Sequence, residues 1–154
     1  MRARLAVSKL TIGAVTAAGI ALLVSAPPLR AHHAFAAEFD EKKPVHFTEA
    51  VVTKVEFINP HSWIHVDVKQ PDGTVENWAI EAGSPNILMR RGVTRETLKA
   101  GDKINVEGYQ SKDGSHRANG RDLTLPNGQK LFLGSGNTGA PYEVQRPGID
   151  TEKQ

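Results

Sequence analysis

No cysteine occurs among the 154 residues, which excludes a disulfide framework, a thiol nucleophile and a site for thioether-linked lipid. The chain also has no Gly-x-Ser-x-Gly, no phosphate-binding loop and no His-Glu-x-x-His, so the common motifs of hydrolases, nucleotide-binding enzymes and zinc proteases are missing. Acid–base work would have to fall to Glu49, Glu56 and Glu81, and only if folding brought them onto one wall. The sequence therefore reads as a non-enzyme, and no motif calls for a cofactor.

A lasting excess of positive charge is lacking as well. Formal charge is +2 over the whole chain, but much of the basicity sits in the opening segment. Arg2, Arg4 and Lys9 precede an apolar run from Leu10 to Ala26 with TIGAVTAAGIALLV at its centre, the layout of a secretory signal. The run spans ~25 Å as a helix, short of the ~30 Å hydrocarbon core, which argues against a permanent anchor. Two cleavage sites fit, after Ala26 or after Ala31, and Ala31 is favoured because cutting after Ala26 would put Pro27 at the new terminus. Loss of residues 1–31 takes four of the 19 basic residues and none of the 17 acidic ones, leaving 15 against 17 and a charge of −2. Export to the periplasm or medium, without stable membrane insertion after cleavage, is the expectation, and nucleic acid is excluded as a partner.

What the sequence does have is β patterning, concentrated in Ala50 to Val68, AVVTKVEFINPHSWIHVDV. Side chains two apart share a strand face. Val51, Val55 and Phe57 are predicted to face inward and Val52, Lys54 and Glu56 outward. The chain corners at Asn59-Pro60-His61, because proline cannot donate to a ladder and restricts the residue before it. On the next strand Ile64, Val66 and Val68 face inward, leaving His61, Trp63, His65 and Asp67 on the outer face. Pro71-Asp72-Gly73 then forms a three-residue loop opposing Gln70 to Thr74. That register sets Val66 against Trp78 and Ile64 against Ile80 in the core, and Trp63 against Glu81 outside, so Asn77 and Glu81 join the outer patch.

The flanks complete an architecture. His32 to Asp40 reads HHAFAAEFD, whose Phe35 and Phe39 share one side of a helical turn, and residues 32–44 are predicted to form a docking arm. A long first strand covers Val45 to Asn59 with a bulge near Glu49-Ala50. Ser84-Pro85-Asn86 opens a short helix through Arg91, stopped by Gly92. Arg90, Arg91 and Arg95 near its end read as helix-dipole placement without a further role. Thr94 caps a turn containing Leu98, a strand runs Lys103 to Gln110, and another ends near Leu125. Asn127-Gly128 signals a two-residue hairpin into Leu131-Phe132-Leu133. Residues 135–154 are Gly- and Pro-rich and polar, a tail expected to be disordered, so that deleting Gly134 to Gln154 should leave folding intact. Three strands, a helix, two strands and an added hairpin over residues 45–134 is the order of a small, mainly β, OB-like five-stranded barrel with its helix between the third and fourth strands.

These segments together, from HHAFAAEFD through VTKVEFINPHSWIHVDV, WAIEAGSP and LMRRGVTRETLKAGDKINVEGY to LTLPNGQKLFLG, resemble domain-of-unknown-function family 6152, a group of exported bacterial proteins. The resemblance implies export and a small β-rich domain. It carries over no catalytic residue, since the family has no established activity. Positions matching its signatures are His32, His33, Asn59, Pro60, His61, Trp63, Trp78 and Glu81; a glycine expected near Glu49-Ala50 is missing.

Two functions fit. One is a non-enzymatic binding or accessory module that takes an unknown small ligand or an envelope protein on the outer face of the second and third strands, through His61, Trp63, His65, Asn77 and Glu81. The other is a copper-binding protein using His32, His33, His61 and His65, since nitrogen ligands favour copper(II).

Overall fold

The structure, a computed structural model, describes residues 35–135 and 140–142. The predicted signal, both cleavage sites, His32 and His33 lie outside them. Two short helices and six strands follow in order: α1 (Phe35–Glu38), β1 (Phe39–Glu56), β2 (Ser62–Lys69), β3 (Val75–Ala82), α2 (Pro85–Arg90), β4 (Lys103–Ser111), β5 (Arg117–Thr124) and β6 (Lys130–Phe132). None of these helices is long and apolar enough to cross a membrane.

β1 is the seam. Its first part pairs with β4, from Phe39 opposite Ser111 to Val51 opposite Lys103, and its last part pairs with β2, from Val51 opposite Asp67 to Glu56 opposite Trp63. It starts six residues earlier than the pattern suggested, because the predicted docking arm joins the ladder from Phe39, and it stops at Glu56. The register shifts between Phe39 and Pro44, between Phe47 and Ala50 and again between Val52 and Lys54. Glu49, at the middle shift, takes φ 52°, a region in which a side chain is strained. The last two shifts correct the predicted parity. Val52 is buried with Ala50 while Val51 is only half-buried, and the inward side passes to Val55 and Phe57 beyond the last shift.

The β2–β3 hairpin keeps the predicted register, with Val66 opposite Trp78, Ile64 opposite Ile80 and Trp63 opposite Glu81. Its loop closes through Gln70 N–H donating to the Thr74 carbonyl at 2.8 Å, and the Asp72 carboxylate accepts the Thr74 N–H at 2.9 Å. Gly73 takes φ 88°, open to glycine without the Cβ clash that burdens other residues. The same chemistry recurs at Pro126-Asn127-Gly128, where Leu125 N–H donates to the Gln129 carbonyl at 2.9 Å and the Asn127 side chain accepts the Gln129 N–H at 3.0 Å. This is a three-residue loop rather than the two-residue hairpin expected there, because Pro126 sits inside the turn.

Ser84 precedes α2 but makes no side-chain cap, and Gly92 follows it at φ 86°. β3 then meets β5 in parallel, Ala79 opposite Arg117, Ile80 opposite Ala118 and Glu81 opposite Asn119. With antiparallel β4–β5 pairing this closes a ring in the order β1-β2-β3-β5-β4, and β6 extends the far half of β5. Gly108 permits the close approach of β4 to β5, since a Cβ there would lie 2.3 Å from the Asn119 carbonyl oxygen.

Inside the ring lies an aliphatic core of Val52, Ile64, Val66, Trp78, Ile80, Leu88, Ile104, Val106 and Leu123 with their neighbours. A second, aromatic cluster gathers Phe35, Phe39, Tyr109, Phe132, Ala140 and Tyr142. The predicted turn of Phe35 and Phe39 is present, their rings 5.8 Å apart. Ala140 and Tyr142, expected in a disordered tail, are instead 1 % exposed each. Arg91, given no role by its position, donates to the Gly134 carbonyl at 2.6 Å and covers the Phe132 ring at 4.7 Å.

Candidate ligand-binding face

Alternation along β2 turns Ser62, Ile64 and Val66 into the core and leaves Trp63, His65 and Asp67 half-buried on the other face. Across the strands two rows form. The first runs Glu56, Trp63, Glu81 and Asn119, and the second runs Lys54, His65, Ala79 and Arg117. Contacts between the rows are diagonal. His65 Nε2 lies 2.8 Å from Glu56 Oε2, and the Arg117 guanidinium sits 5.2 Å from the centre of the Trp63 ring. Arg117 also reaches Glu38 of α1 at 3.4 Å, so the helix, the guanidinium and the indole form one continuous surface. The hydrogen bond from Lys54, with that to His65 behind it, holds the Glu56 carboxyl below its ordinary range.

At the corner preceding β2, where the Asn59–Pro60 bond is cis, His61 Nδ1 approaches Glu81 Oε1 at 3.0 Å. A carboxylate accepts here, so Nδ1 is the donor, and in the neutral ring Nε2 is the nitrogen that keeps a lone pair. This hydrogen bond raises the His61 pKa above its ordinary value, against partial burial, with a smaller push from the Glu38 charge. Glu81 is itself only 6 % exposed. Asn119 offers it a long hydrogen bond of 3.4 Å through Nδ2, and the Tyr142 hydroxyl donates to Asn119 Oδ1 at 3.0 Å. A polar chain thus runs from His61 through Glu81 and Asn119 to Tyr142.

The match to known families covers residues 20–120, most of this arrangement. The chain belongs to DUF6152, a family of unknown function. No curated protein and no solved structure matches it. The DUF6152 segment takes in His61, Trp63, Glu81, Arg117 and Asn119 and ends before Tyr142.

Of the predicted site residues of this DUF6152 protein, the structure brings His61, Trp63 and Glu81 together and places His65 one row further on. Glu81 is not the exposed acid of the predicted patch: ring closure sets Asn119 beside it, and Asn119 and the His61 ring meet the same oxygen, Oε1. Asn77 is exposed but lies four residues from Glu81 along β3, about 13 Å, and donates to Asp67 at 3.0 Å. His61 and His65 are likewise four apart, each on its own carboxylate, and among the described residues no three His, Asp or Glu side chains converge on a metal position. Glu49, Glu56 and Glu81 do not all share a wall: Glu56 and Glu81 stand in one row on either side of Trp63, each on its own histidine, but Glu49 faces Lys103 at 3.7 Å. Arg117, Asn119, Glu38 and Tyr142 gave no sequence signal. Their places follow from β3–β5 closure and from the aromatic cluster, both contacts between distant segments.

Proposed function

We propose that this protein is an exported, non-enzymatic binding or accessory module, an OB-like barrel that takes a small ligand or an envelope protein on the outer face of β2 and β3. The strand order and the helix between β3 and β4 support the barrel reading. The observation that carries the functional reading is Trp63: its half-exposed ring stands outside the aliphatic core, with Arg117 over it and the His61–Glu81 pair beside it. An indole held among oriented charged groups offers stacking area and directional hydrogen bonds together. The neighbouring hydroxyl, Ser62, faces the core, so it gives no support to nucleophilic catalysis by the His61–Glu81 pair.

The test is native mass spectrometry of the protein isolated from the periplasm, followed by rebinding of whatever species it carries. Trp63→Ala and Arg117→Ala should lose that species. Retention by both would remove the β2–β3 face from consideration.

A second reading is copper binding, favoured by the His61 geometry, since a carboxylate on one imidazole nitrogen orients the other for a metal. Cleavage after Ala31 would add the α-amine and ring of His32, with His33 next to them, and His65 is the other candidate nitrogen on the face. Calorimetric titration with copper(II) should then weaken on acetylating the amino terminus and again in His61→Ala. Loss with acetylation alone reduces the site to a terminal chelate, and loss with neither ends this reading.

A further inference from the structure

At the β1 edge of that face, bordered by Lys54, a groove of about 390 Å³ lies between the strand and the segment leading into β4. The segment is tied to the strand on one side only: Gly101 N–H donates to the Val52 carbonyl and Val52 N–H to the Asp102 carbonyl, both at 2.8 Å. Beyond Val52 the two walls part. Val55 and Phe57, which continue the core side of β1, are left half-buried where an aliphatic core would normally be closed, and Leu98 lies buried opposite them. Lys54, Arg95 and Lys99 also line the groove, and no acidic residue does. Arg95 lies 5.3 Å from the centre of the Phe57 ring. Lys54 is shared with Glu56 at 2.6 Å, whereas the Lys99 ammonium makes no ion pair among the described residues. Acids flank the groove just outside its lining: Glu56 bonds Lys54 as well as His65, Glu96 feels the charges of Lys99 and Arg95, and the Asp102 carboxylate accepts the Lys99 backbone N–H at 2.8 Å.

We infer that this groove is a second binding site, for a free amphiphilic anion: an aliphatic or aromatic body lying on Val55, Phe57 and Leu98, with a carboxylate or sulfonate head met by Lys54, Arg95 and Lys99. Arg95 and Lys99 set the sign of the ligand, with Lys54, already paired with Glu56, as a third cation at the rim. The partly uncovered Phe57 ring and Val55 methyls select its apolar body, because each gains by leaving water. The volume falls within the range of small-molecule pockets, which favours a free small amphiphile over a polymer or a membrane surface. Arg95 would exchange its position over Phe57 for a hydrogen-bonded pair with the head group, a stronger contact once desolvated.

The site is tested on the full mature protein with 1-anilinonaphthalene-8-sulfonate as fluorescent probe and decanoate as competitor. Decanoate should displace the probe from the wild type. Affinity for both should fall about tenfold or more in Arg95→Glu/Lys99→Glu and by a smaller factor in Lys99→Ala, an exposed position whose melting temperature should match the wild type. Trp63→Ala should bind both compounds unchanged, which separates this groove from the β2–β3 face. Three results would overturn the inference: no displacement by decanoate, equal affinity in wild type and Lys99→Ala, or binding to phosphatidylglycerol vesicles without binding of free decanoate.

Discussion

Trp78 shows how much one side chain can carry in a ring of this size. It is 6 % exposed, packs on Phe47 at 4.7 Å and stacks with His116 at 4.9 Å, and its indole N–H donates to Glu76 at 2.9 Å. Trp78→Ala should therefore cost about 3–5 kcal/mol in urea unfolding, and a change below about 1 kcal/mol would contradict this placement. His61 supplies a different test, in pH. Its folded pKa lies above the ordinary 6.5 through its bond to Glu81, so the charged pair stabilises the fold fully below that value and the contribution is lost as pH rises through the folded pKa. His61→Gln should have a lower melting temperature than the wild type near pH 5, with the gap narrowing toward about pH 9; a gap that widens with pH would show that the fold lowers the His61 pKa instead of raising it. Trp78 was legible in the sequence because Pro71-Asp72-Gly73 fixed the hairpin register. Glu81 was half legible: its opposition to Trp63 came from the same turn, but its burial depends on β5, whose arrival no local pattern announces.

Among the elements, the aromatic cluster is where sequence and structure part most. Tyr142 sits in a stretch rich in glycine, proline and polar residues, and its partners are distant in the chain, Phe132 edge-on at 5.3 Å and Asn119 through the hydroxyl. Composition could not signal those contacts. Deleting residues 135–154 should accordingly destabilise the protein, with the melting temperature down by more than about 5 °C. Tyr142→Phe should cost about 1–3 kcal/mol, the range for leaving a buried polar partner unsatisfied, here Asn119 Oδ1. A double-mutant cycle between Tyr142→Ala and Phe132→Ala should show coupling of about 0.5–1.5 kcal/mol. Additive effects would mean that the two rings act separately. The β1 parity failed for a related reason. Glu49 occupies positive φ without being glycine, and another shift follows within a few residues, so an alternating pattern read straight through the strand changes face unannounced.

For the whole molecule, the division of β1 between two partners has a consequence in time. The β2–β3 hairpin joins near neighbours, but β1 meets β4 by setting Phe39 against Ser111, and the ring closes only when Ala79 meets Arg117. Pairings this far apart in sequence place refolding in the ms–s range by stopped-flow fluorescence, and completion within microseconds would be inconsistent with the topology. During synthesis the amino-terminal strand emerges first, and Ser111, the partner of Phe39, is made 72 residues later. An orphaned strand edge is a template for aggregation. The half of β1 that waits longest carries Asp40-Glu41-Lys42-Lys43-Pro44, five residues of charge and proline, the side chains that blunt such edges. That run has no part in either core; its charges and proline disfavour pairing of the bare edge with another chain before β4 is made.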